Sequence, residues 1–162
     1  MLYSAFLLFV LVGVGSSAWL YRDDGLGLGG DDVVRYFYGD EAPGLAPPAD
    51  GASMRMEKPA RQVVETLHFH AFTMPVVLLI VGHLFMMCAL TTRKKIVVLV
   101  TASTSTLVHL LLPPLVRFSS PGFGVLFGPS AVLMSAAWLV LLVWPLIEMW
   151  RPVSSSTALD EG

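Results

Sequence analysis

Residues 71–116 read AFTMPVVLLIVGHLFMMCALTTRKKIVVLVTASTSTLVHLLLPPLV, two uncharged apolar runs joined by a short connection, Thr91 to Lys95, that carries Arg93, Lys94 and Lys95. Each run has the roughly 20 residues that a helix needs to cross a bilayer. Short basic connections stay on the cytoplasmic side, so the pair reads as a transmembrane hairpin with its tight turn inside. Working outward, two more segments meet the same criterion, Leu2 to Leu20 and Gly124 to Ile147. The first lacks the basic leading region of a secretory signal and is read as a retained helix.

The expected fold is therefore an all-α integral membrane protein. It is a four-transmembrane-helix bundle with spans near 2–20, 71–90, 96–116 and 124–147, and both termini are cytoplasmic. These spans form a single membrane domain over residues 1–152, followed by a disordered tail at 153–162. Composition agrees: 55% hydrophobic and 14% charged residues, with a mean hydropathy of +0.71, exceed what a soluble domain of this size shows. A net charge of -2 gives no electrostatic footing for a nucleic-acid partner. Cys88 has no second cysteine to pair with and reads as a small buried hydrophobe.

The basic residues do not all support this orientation. Arg22, Arg35, Arg55, Lys58, Arg61 and Arg117 fall in the outer connections, against Arg93, Lys94, Lys95 and Arg151 inside. Charge density in the short loop outweighs a tally that includes a long one. Arg151 directly after the fourth segment, and Trp19 and Trp150 near segment ends, fit the same arrangement.

The outer loop of about fifty residues, 21–70, contains Asp31-Asp-Val-Val-Arg-Tyr-Phe-Tyr-Gly39. Asp31 suits an N-cap and Gly39 a stop, and Val33, Val34, Phe37 and Tyr38 would cover one side of a short interfacial helix near 31–38, a lid or a strut. Before it, Gly25, Gly27, Gly29 and Gly30 read as a flexible loop, with no preceding strand to make a nucleotide site. Glu41 to Pro59 reads as an irregular linker. Helical character resumes at Ala60, so the second helix begins outside the bilayer and carries His68 and His70 near its mouth.

The histidines are the candidate site. An ionisable ring in hydrocarbon needs compensation, which makes His68, His70 and His83 around the second segment and His109 in the third the residues of interest. Counted from the basic turn at 1.5 Å per residue, His83 lies about 15 Å up one helix and His109 about 21 Å up the other, nearly level, with His70 near the outer surface at about 35 Å. The tilt of the helices and a bend at Pro75 leave pairings of His109 with His70 or Met74 open. Beside His109, Ala102, Ser105 and Thr106 are small enough for a close helix contact or a flat cofactor. Gly82 beside His83 permits the same close approach. Pro113-Pro114 is expected to end or bend the helix above His109.

Level histidines on antiparallel helices suit bis-imidazole ligation of one b-type haem, with His83 and His109 the preferred ligands and His70 a third candidate. In layout the chain resembles small four-helix membrane b-type cytochromes: four spans and histidines on the two central ones. That resemblance implies electron transfer between a quinol pool and another carrier. It departs from the two-haem pattern, because His70 and His83 are about 140° out of phase on their helix.

Two other readings stand beside it. A copper or zinc ion at the outer mouth would use Glu65, His68, His70 and Met74, with Met54 and Met56 folding back. Alternatively, the chain is a noncatalytic accessory or scaffold subunit of a larger membrane complex, its partners being lipid and other subunits, with no cofactor at all. Glu148 reads as a surface pair with Arg151. No hydrolase template is complete and no organelle signal is visible, so enzymatic activity stays open and the bacterial inner membrane is the expected location.

Overall fold

The computed structural model describes residues 1–23, 26–46 and 55–151. Gly25, part of the expected linker including Met54, and the expected tail at 153–162 lie outside the described residues. The described chain is helical: α1 (Leu2–Asp23), α2 (Gly30–Tyr38), α3 (Ala60–Met86), α4 (Thr92–Phe118) and α5 (Phe127–Trp150), with 3-10 turns at Gly39–Glu41 and Pro121–Leu126. Among the described residues, three stretches are long and apolar enough to cross a membrane: Ala60–Met86, Thr92–Phe118 and Pro121–Trp150.

The helices overrun the apolar segments that announced them. The hairpin turn is Met87–Thr91, and Arg93, Lys94 and Lys95 belong to the first turn of α4. Lys95 Nζ donates to the Met86 carbonyl at 2.6 Å, which caps the C-terminal end of α3. At the other end, Pro113-Pro114 does not stop α4, which runs on to Phe118. Proline lacks the amide that would bond the carbonyl one turn back, so those of His109 and Leu110 lose their helical donors while the backbone continues.

α5 is the central element, packed against α4, α3 and α1. One core joins Leu7, Val81, Phe85, Ala102, Ala137, Trp138, Leu141 and Leu142 from these four helices. α1 rests chiefly on α5, where the Ser4 hydroxyl approaches Met149 Sδ. At the basic end, Glu148 is not paired with Arg151 as expected; its carboxylate accepts from the Ala89 amide at 2.7 Å and the Trp144 indole at 2.8 Å. A carboxylate near the end of α5 thus ties down the α3–α4 turn.

A second core at the outer end holds Leu26, Val33, Phe37, Val63, Leu112, Val116 and Phe127. α2 is present with the apolar face read from its sequence, but Gly29 is the N-cap and no side chain caps it, so Asp31 lies inside the first turn. There Asp31 and Asp32 oppose the positive end of the helix dipole. Gly39 ends the helix with φ +72°, a conformation that glycine adopts without steric cost. The segment after the linker returns beside it: Asp40 N bonds Arg55 O, and Lys58 N bonds Phe37 O, both at 3.1 Å. Tyr38 donates to the Val116 carbonyl at 2.9 Å, satisfying an orphan acceptor at the end of α4.

α2 is therefore a strut over the ends of α4 and α5, not a detached surface helix. Gly30, the first residue of α2, is a packing contact: a Cβ on Gly124 would lie 2.9 Å from the Gly30 carbonyl oxygen, which shows how closely the two backbones pass.

Candidate functional site

Among the described residues, the buried polar side chains other than Ser4 of α1 are Ser105, Thr106 and His109 on α4 and Ser130 on α5. Along α4, Ala102, Ser105, Thr106, His109, Leu112 and Val116 recur at helical spacing and are all buried. From α5, Phe127, Ser130 and Trp138 face them.

His109 is 7% exposed, and its Nδ1 lies 2.9 Å from Ser130 Oγ. The Ser130 hydroxyl in turn donates to the Phe127 carbonyl at 2.8 Å. With that one proton committed, the hydrogen between Ser130 and His109 comes from the imidazole. That hydrogen is therefore assigned to Nδ1. The Phe127 ring sits 4.5 Å from the imidazole, centroid to centroid. Two turns away, the Trp138 indole donates to Thr106 Oγ1 at 2.8 Å, and Ser105 donates back to the Ala102 carbonyl at 3.2 Å. On the small face of α4, Thr106 and His109 thus contact side chains of α5.

The other histidines do not join these contacts. His83 is exposed and its Nδ1 lies 3.1 Å from its own helix's Leu79 carbonyl. A Cβ on Gly82 would lie 3.1 Å from Leu99 Cδ2, so this level of α3 sits beside Leu99, and His109 is about 15 Å farther along α4 at 1.5 Å per residue. His83 and His109 are therefore neither level nor facing, a correction to the height count. That count started from the charged residues, whereas α3 already ends at Met86, one turn beyond His83.

The outer-mouth group also fails to converge. Glu65 pairs with Arg61 at 2.6 Å, His68 packs edge-on against Phe72, His70 Nδ1 lies 2.8 Å from the Thr66 carbonyl, and Met74 packs against the α3–α5 core. Met56 is exposed. Among the described residues, no group of three or more His, Cys, Asp or Glu stands close enough to hold a metal ion.

Ser130 and Trp138 are the site residues that sequence reasoning missed. Their signal was their polar atoms in an otherwise aliphatic segment, which must find partners on whatever helix they face.

A protein-family model described as Aq_1264_TM, a transmembrane helical domain, matches residues 27–156. The match covers most of the chain, which belongs to that family and is an all-α integral membrane protein in contact with the lipid bilayer. No curated protein and no solved structure matches it.

Proposed function

We propose that this member of the Aq_1264_TM family is a noncatalytic scaffold subunit of a larger membrane complex. The observation that supports this reading most is the polar seam between α4 and α5: His109 Nδ1 bonds Ser130, Ser130 bonds the Phe127 carbonyl, and the Trp138 indole bonds Thr106. Such bonds between side chains of facing helices hold the two in register. A single haem ligated by His83 and His109 of one chain finds no support in their placement.

The proposal includes α1 as a fourth span, both termini on the cytoplasmic side and residence in a bacterial inner membrane. A docking role suits α1, which leans mainly on α5 while Gly13, Gly15, Ser16 and Ser17 are exposed, with nothing within 4 Å of a Cβ on either glycine. Small residues on an open face let a neighbouring helix approach closely.

The test is mild-detergent extraction of the tagged protein from its own membrane, followed by sizing, identification of companions and a visible spectrum. A defined complex that is lost in Gly13→Leu/Ser17→Leu, while the isolated variant keeps its helicity, supports the scaffold role. A monomer with reducible haem bands that vanish in His109→Ala overturns it. Reporter fusions at the C-terminus and in the loop near Ala46 check the orientation.

A further inference from the structure

At the basic end of the molecule, α3, α4 and α5 leave a groove of about 520 Å³ lined by Phe85, Leu90, Val97, Val98, Val140 and Trp144. Arg93 and Lys94 form its rim and are exposed. We propose that this groove is a binding site for an anionic glycerophospholipid, its acyl chain along the valine wall and its phosphate between Arg93 and Lys94.

Charge complementarity selects this occupant. Lys95 is committed to the Met86 carbonyl, whereas Arg93 and Lys94 have no ion-pair partner among the described residues. They also stand in the first turn of α4, where the helix dipole disfavours cations and the three basic neighbours repel one another. Their position is thus unfavourable for the isolated helix and is relieved by a negative charge from outside. Nearby Glu148 forms no ion pair with either among the described residues; its carboxylate is turned to the Ala89 amide and the Trp144 indole. That bond also fixes Trp144 as a wall of the groove. Below the rim the lining is aliphatic and aromatic, which suits an acyl chain and excludes a free phosphate as sole occupant. Basic pockets between transmembrane helices recognise lipid headgroups in this way.

The experiment uses the full chain in neutral detergent, titrated with phosphatidylglycerol or phosphatidylcholine of the same acyl composition and read by native mass spectrometry. Two basic residues at about 1 kcal/mol each correspond to a preference of roughly thirtyfold for the anionic lipid. Arg93→Gln/Lys94→Gln is expected to erase the preference, and Val97→Trp, which fills the groove with the charges intact, to weaken binding of both lipids. Equal retention of the two lipids by the parent protein overturns the proposal. So does undiminished binding of both lipids in Val97→Trp, which would mean a diffuse charge effect with no groove. A photo-crosslinker at Val97, in membranes, is expected to capture phospholipid; capture of a second copy or of another polypeptide instead overturns the choice of occupant.

Discussion

Removing the Ser130 hydroxyl tests the central seam directly. Ser130→Ala leaves the His109 Nδ1–H without its acceptor at a site where the ring is 7% exposed. In water-soluble proteins an orphaned buried donor costs about 1–3 kcal/mol. Within a bilayer the measured range is smaller, averaging about 0.6 and reaching about 1.7 kcal/mol, because the unfolded helices also find partners. The depth of His109 puts Ser130→Ala near the top of the membrane range, about 1.5 kcal/mol. His109→Leu removes the donor while Ser130 keeps its bond to the Phe127 carbonyl, so its cost comes from the lost ring contact with Phe127. In the double variant no polar group is stranded, and the two losses are expected to sum to about 1 kcal/mol less than their parts. Reversible unfolding of the four proteins in mixed micelles, followed by helicity, gives the coupling. Additivity within about 0.3 kcal/mol would refute the bond as a device that locks α4 to α5.

The close passage of the Gly30 and Gly124 backbones predicts that Gly124→Ala lowers stability by about 1–3 kcal/mol through overpacking, whereas Gly13→Ala, in open space, leaves thermal stability unchanged or raises it. Equal effects at the two sites in a detergent melt would contradict the packing role. Tyr38→Phe frees the Val116 carbonyl and is expected to cost about 1 kcal/mol, seen as faster amide exchange across α2 with α3–α5 unaffected. In the Met87–Thr91 turn, burial first and the Glu148 carboxylate second push the Cys88 thiol up to about 11. At pH 8 that leaves about 0.1% thiolate, so maleimide labelling should run roughly a hundredfold slower than for a cysteine of pKa 9. Labelling should rise steeply between pH 8 and 11 and speed up at pH 8 in Glu148→Gln; a rate equal to that of free cysteine would show the turn to be open.

The hairpin, the strut and the site were legible to different degrees because they rest on different ranges of interaction. Segment length and apolar composition are local, so the three long apolar helices and the α2 pattern from Asp31 to Gly39 could be read along the chain. Helix ends are less local. The α3 end depends on Lys95 reaching back to Met86, and the turn on Glu148, a residue from the far end of α5. Counting heights from the charged residues therefore misplaced His83 by enough to make it level with His109. The polar seam is wholly nonlocal: nothing in the third segment says that His109 faces Ser130, since α4 also has α3 beside it. The premise that a buried imidazole needs compensation still holds in this fold. The compensation comes from a hydroxyl on the central helix, itself anchored to the Phe127 carbonyl, and it joins α4 to α5. A ring held through Nδ1 in this way spends its donor on holding α4 to α5.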